Sequence, residues 1–244
     1  MFMVFRAKRI LSILCLTIVA ISGIIIAGSR TLVPVFFPSD ESIEGRYYII
    51  DAGHGGEDGG AVSSGGIIES DLNLEIAQQL NRVLSFAGVD TVMTRSNNQA
   101  LYSDHAKTLR EKKRSDLQNR VQLINQYPDG VLLSIHQNSM PSAPYVHGAQ
   151  VFYNAVPAAD RYANQVQYSL NTAVNPKNNA KEAKPIESGI YLMKNVQCPA
   201  ILIECGFLSN TEETDALQDP AYQQKLALAI AAGILNDTNG VYTE

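Results

Sequence analysis

Four side chains scattered along the sequence have the types needed to hold a metal ion and move a proton: His54, Glu69, His136 and Glu204. His54 closes the stretch Asp51-Ala-Gly-His, His136 closes Ser134-Ile-His, and Glu204 follows Ile203, so three of them stand where short apolar runs end. Glu69 lies at the mouth of a helical pattern. Two imidazoles and one carboxylate, with water as the fourth ligand, form the donor set of many catalytic zinc sites. A second carboxylate beside such an ion supplies proton transfer. An amide needs both services, because its carbonyl is a weak electrophile and its nitrogen must be protonated before it leaves. On type and spacing, His54, Glu69 and His136 are candidate zinc ligands and Glu204 the candidate catalytic carboxylate. Spacing also leaves a plainer reading open, in which His54 is a loop residue, Glu69 a charge favoured by a helix N-terminus and Glu204 half of an ion pair.

The elements that must position these groups follow from hydrophobic pattern. Arg46 to Asp51 and Val131 to Ile135 are apolar runs expected to be strands buried on both faces, as is Ala200 to Ile203 after Pro199. Thr91 to Thr94 reads as a further strand and Ala149 to Tyr153 as a third or edge strand. Leu72, Ile76, Leu80 and Val83 recur at helical spacing up to Gly88, with Ser70 and Asp71 available as caps. Other helices are expected through Leu117, Val121 and Ile124, through Tyr162, Val166 and Leu170, and through Tyr222, Leu226, Ile230 and Ile234. The polar, basic stretch from Asn97 to Ser115 reads as a surface loop or insertion, and Asn171 to Lys184 as a polar loop. Strands alternating with amphipathic helices predict an α/β sandwich of one domain, with a mixed, largely parallel central sheet flanked by helices. Ligand sites in such sheets sit outside the carboxyl ends of the strands, which is where the candidates would meet.

Composition narrows the partners. The whole chain holds 19 Lys plus Arg and 24 Asp plus Glu; four of the former and three of the latter precede Arg46, which leaves 15 against 21, a formal charge of −6. That balance argues against nucleic acid. From Ile10 to Gly28 no residue is charged, and Arg6, Lys8 and Arg9 precede the run. Such a segment is an export signal or a transmembrane helix whose basic flank stays in the cytoplasm. Ala27-Gly28-Ser29 is an acceptable processing site, so both a retained anchor and a cleaved signal are open, with the anchor favoured. The expected organisation is an anchor or signal over 1–29, a tether over 30–45 and a catalytic domain over 46–244. Cys198 and Cys205 are separated by seven positions of predicted strand, roughly 23 Å of extended chain, whereas bridged Cα atoms lie about 4.4 to 6.8 Å apart. Two free thiols are expected.

At these residues the sequence resembles the type 3 group of zinc-dependent N-acetylmuramoyl-L-alanine amidases. The matching text is IIDAGHGGEDGGAV (Ile49 to Val62), the helix start from Glu69 to Leu80, MTR (Met93 to Arg95), Arg120, LSIHQNS (Leu133 to Ser139) and PAILIECGFLSN (Pro199 to Asn210). The resemblance implies that His54, Glu69 and His136 bind one zinc ion, that Glu204 is the catalytic carboxylate, and that the bond cut joins N-acetylmuramic acid to the L-alanine of the peptidoglycan stem peptide. It leaves Asn138 as a groove residue or a strand-end cap, Arg95 and Arg120 as members of structural ion pairs, and His105 and His147 as surface histidines. A short chain without wall-targeting repeats, with IIESDLNL around Glu69 (Ile67 to Leu74), is similar to the germination-specific amidases of spore-forming bacteria. That similarity implies preparation of muramic-δ-lactam in the spore cortex. It also implies an extracytoplasmic place, membrane-anchored or secreted, on the cortex side of a forespore membrane. Peptidoglycan is then the partner, the membrane is met through the N-terminal segment, and a need for an accessory protein is left open. Lys184 to Lys194 departs from the wording of vegetative relatives, so their substrate contacts are not carried over there. Two alternatives remain at this level: another zinc hydrolase of peptidoglycan, such as a carboxypeptidase or deacetylase, or a wall-binding module without turnover.

Overall fold

The structure, a computed structural model, describes residues 46–187 and 189–236. The apolar run from Ile10 to Gly28 and the tether lie outside these residues. No helix among the described residues is long and apolar enough to cross a membrane.

Six strands form one sheet in the order β2-β1-β3-β6-β4-β5, where β1 is Tyr48–Ala52, β2 Thr91–Met93, β3 Val131–Asn138, β4 Gln150–Tyr153, β5 Lys184–Pro185 and β6 Ala200–Phe207. β2, β1, β3 and β6 run parallel, while β4 pairs antiparallel to β6 and carries the two-residue β5 on its outer side. β4 is therefore one strand in from the edge, the short β5 taking the edge itself. Among the described residues six α-helices accompany the sheet: α1 (Glu69–Phe86), α2 (Leu109–Ile124), α3 (Ala159–Ala173), α4 (Tyr191–Asn195), α5 (Thr211–Leu217) and α6 (Pro220–Asn236).

Successive side chains of a strand point to opposite faces, and this sheet uses the alternation to fill two cores. Ile50, Leu133, Ile135, Ile201 and Ile203 pack with Ile76 and Leu80 of α1, Val166 of α3 and Ile230 of α6. Ile49, Leu132, Ala200 and Leu202 pack the other face, with Ile124 of α2 and Leu192 and Met193 of α4. Covering both faces explains the unbroken apolar runs. The second layer is the thinner one, and by the same alternation Asp51, Ser134, His136 and Glu204 belong to its face.

Two of the expected helices start elsewhere than the sequence reading places them, and α4 and α5 are additional to it. α1 begins at Glu69 after Ile68 in extended conformation, with no side-chain cap, so Ser70 and Asp71 lie inside the first turn. α2 starts at Leu109, well inside the stretch expected to be loop, because Thr108 and Glu111 form a capping box in which each side chain bonds the other residue's backbone N–H. Cys198 and Cys205 are free and buried, with β6 between them as expected.

Candidate metal centre and catalytic site

The four candidates meet at the carboxyl end of the parallel strands. His54 leaves the end of β1, His136 stands two residues before the end of β3, and Glu204 lies directly opposite His136 in the β3–β6 register. Glu69 reaches in as the first residue of α1. His136 and Glu204 thus sit within strands that continue past them, rather than at the strand ends that the sequence suggested.

His54, Glu69 and His136 each offer one donor atom, and these atoms lie within 4.8 Å of one another. His136 Nδ1 is 3.0 Å and His54 Nε2 3.4 Å from the same oxygen, Glu69 Oε1. The two rings stand edge to face with centroids 5.1 Å apart. Backbone and side-chain donors fix the carboxylate: Ala61 N–H donates to Oε2 at 2.8 Å, while Gln137 N–H and Asn73 Nδ2 donate to Oε1 at 3.2 Å each. On the far side of His54, Asp58 Oδ2 lies 2.9 Å from Nδ1 and leaves Nε2 to face the cluster.

Close packing leaves the loop no room for side chains at two glycines. A Cβ on Gly53 would run into the His136 ring, and one on Gly60 would come within 2.5 Å of Glu69 Oε2 and 2.8 Å of His54 Cδ2. His54 itself has φ of 61°, a left-handed conformation uncommon for a residue with a side chain. Two buried arginines hold this backbone. Arg95 donates to the carbonyls of Ala52, Gly53 and Ser70, and Arg120 to those of Ala52 and His54. Arg120 also pairs with Asp51 at 2.6 Å and Asp116 at 2.8 Å, the ion pairing expected of it. Arg95 works differently from the expectation: every hydrogen bond it donates goes to a backbone carbonyl, and it has no ion-pair partner among the described residues.

Charge is arranged around the cluster. Burial opposes ionisation of Glu69, yet the hydrogen bonds and charges of His136 and His54 outweigh it and hold the carboxyl far below the usual range. Burial likewise opposes a charge on His54, but Asp58 and Glu69 raise its pKa to about 9. A positive charge is therefore favoured between these side chains. Glu204 is the opposite case. Burial pushes its pKa up to about 7, the negative charge of Glu69 works in the same direction, and the imidazoles of His136 and His54 oppose it. Its Oε2 atom is buried without a hydrogen-bond partner among the described residues. Below the site, burial opposes the charge of Asp51, but Arg120, His136, Ser134 and Thr94 bring its pKa down to about 2.

This donor set fits a divalent cation. Two imidazoles and a carboxylate converge, one imidazole carries a carboxylate behind it as ligating histidines do, and a carboxylate oxygen across the strands lacks a partner.

Residues 49–236 match the family described as N-acetylmuramoyl-L-alanine amidase. The chain belongs to this family. It is an amidase that hydrolyses peptidoglycan. Among similar proteins, the germination-specific N-acetylmuramoyl-L-alanine amidase of Bacillus subtilis (strain 168) is 38% identical over 193 residues, which span 79% of this chain and 80% of the relative. The CwlD amidase from Clostridioides difficile, solved in complex with the GerS lipoprotein, is 36% identical with a TM-score of 0.74, the match covering 78% of this chain and 97% of that one. An N-acetylmuramoyl-L-alanine amidase from Clostridium difficile 630 is 28% identical with a TM-score of 0.69, over 81% and 98% of the two chains.

His105 and His147 are not among the clustered donors, and Asn138 lies two residues beyond His136 on β3. Asn138 caps its own strand, its Oδ1 accepting from Ser139 N–H at 2.8 Å. His105 is exposed, and Nδ1 of His147 is 3.0 Å from the carbonyl of Tyr145. Sequence reasoning missed Asp58, Asn73 and Gln137. The first two carry a recognisable signal: Asp58 is four residues after His54 and Asn73 one helical turn after Glu69, and each bonds the residue it follows.

Proposed function

We propose that this amidase cleaves the bond between N-acetylmuramic acid and L-alanine with one zinc ion held by His54, Glu69 and His136 and with Glu204 as the proton-transferring carboxylate. The convergence of the three donor atoms within 4.8 Å carries the reading. When bound, zinc supplies Lewis acidity that sharpens a carbonyl as an electrophile and makes water a better nucleophile. Asp58 keeps His54 Nε2 turned inward, and the three donors to Glu69 keep its carboxylate from rotating away. Glu204, beside His136 and raised in pKa, accepts a proton from the attacking water and delivers it to the departing nitrogen. A pKa near neutrality suits a group that must do both.

The likeness to a germination-specific amidase supports a place outside the cytoplasm and a role in the spore cortex, where removal of stem peptides precedes formation of muramic-δ-lactam. The solved complex of the CwlD amidase with a lipoprotein supports an accessory protein for this chain too. An N-terminal anchor over residues 1–29 would hold the domain at the membrane. Digestion of purified peptidoglycan followed by mass spectrometry tests the reaction. Stem peptides with a free L-alanine amino group are expected. Free D-alanine would identify a carboxypeptidase instead, and acetate a deacetylase.

A further inference from the structure

The domain is acidic, yet α2 opens with Arg110, Lys112, Lys113 and Arg114. Three of these four cations, all but Lys112, are set against each other: Arg110, Lys113 and Arg114 are spaced i, i+3 and i+4, a like-charge arrangement that destabilises a helix, and Arg110 lies in the first turn, where the helix dipole disfavours cations. Lys112 pairs with Glu57, and Lys113 with Asp58 at 3.1 Å. Arg110 and Arg114 are exposed and have no ion pair among the described residues. A solvated helix face gains nothing from this pattern; an anionic ligand would relieve it.

Position selects the ligand. The stems of Arg110, Lys113 and Arg114, with Leu117 of α2 and Tyr191 of α4, line an open and largely apolar groove of about 250 Å³. α2 and α4 cover the sheet face to which His136 and Glu204 belong. Lys113 links the groove to the centre through two contacts, Lys113 to Asp58 at 3.1 Å and Asp58 to His54 Nδ1 at 2.9 Å. A second cavity of about 120 Å³, bordered by Gly55, Glu57, Asp58, Lys112, Lys113 and Asp116, shares Lys113 with the first and reaches the His54 loop; its three carboxylates are already paired, with Lys112, Lys113 and Arg120. A ligand reaching from the centre into this groove must be extended, partly apolar and negatively charged some way from the reacting bond. The stem peptide answers that description, since beyond its first alanine it carries free carboxylates.

We infer that Arg110 and Arg114, with Lys113 between them and Tyr191 as the apolar wall, form a subsite that binds carboxylates of the stem peptide and sets a preference for substrates in which they are free. The inference rests on the proposed cleavage at the first alanine. Exposed ion pairs are worth about 0.2 to 1 kcal/mol each, so two together give a preference of roughly two- to thirtyfold.

The experiment compares kcat/KM of the full-length protein on disaccharide-peptides with free carboxylates and on the same compounds with those carboxylates amidated. Wild type is expected to prefer the free form about tenfold, the Arg110→Gln, Arg114→Gln double variant to lose most of that preference, and the double lysine variant to keep it. Arg82→Gln, an exposed change on α1 against the other face, should leave the ratio as in wild type. Equal rates of wild type on both substrates, or an unchanged ratio in the glutamine variant, would overturn the subsite while cleavage at L-alanine still stands. Release of any other product by wild type would instead overturn the proposed reaction. A glutamine variant that loses binding to phosphatidylglycerol vesicles but keeps the wild-type ratio would also overturn the subsite and assign the patch to an anionic membrane surface.

Discussion

Glu204 shows how one residue type is turned to two purposes at one site. Glu69, with three hydrogen-bond donors and two imidazoles, is held as a carboxylate, whereas Glu204, half-buried across the strands with one buried oxygen lacking a partner, is pushed up to about 7. Only ionised Glu204 can take a proton, so lowering the pH through its pKa must remove activity. A bound cation favours the ionised form and draws that midpoint down, which places the acid limb of kcat/KM between the ordinary 4.5 and about 7, with a slope of about tenfold per pH unit. A flat profile through that interval would remove Glu204 from the reaction. Asp58 is tested separately. Because it fixes the orientation of His54 without reaching the donor cluster, Asp58→Asn should weaken zinc affinity about 10- to 100-fold, read by competition with a chromophoric chelator. Unchanged affinity would make the contact incidental.

The elements that carry these residues were legible to different degrees. β1, β3 and β6 announce themselves because a strand buried on both faces is a continuous apolar run, and α1 and α6 because their buried residues recur at helical spacing. The start of α2 was hidden, since its first two turns pack little against the core and are specified by the Thr108–Glu111 capping box rather than by apolar period. β5 and α4 are too short for periodicity to reveal. The clustering of His54, Glu69 and His136 was legible from residue type and from their places at strand ends and a helix start. The arginine clamp was not, because donation from Arg95 to carbonyls leaves no partner residue type in the sequence to search for. Arg120 joins α2 to β1 through a pair buried on both sides. Arg120→Met would leave Asp51 buried without its cation and should destabilise the fold by about 3 to 5 kcal/mol in urea denaturation. A loss below about 1 kcal/mol would mean that Asp51 is satisfied by Ser134 and Thr94 alone.

Across the whole molecule, the proposed ligands come from three separate elements: the loop after β1, the start of α1 and the middle of β3. An ion bound there ties together parts of the chain up to 82 positions apart, His54 to His136, without contributing to either apolar core. The fold can therefore persist when a ligand is removed, and loss of metal can be separated from loss of structure. The deciding measurement is the zinc content, per folded chain, of the purified full-length protein and two variants, with folding checked by circular dichroism. About one zinc per chain is expected in wild type and in Glu204→Ala, and close to none in His54→Ala. A folded His54→Ala protein with wild-type zinc content would contradict the central claim, as would a folded Glu204→Ala protein without zinc.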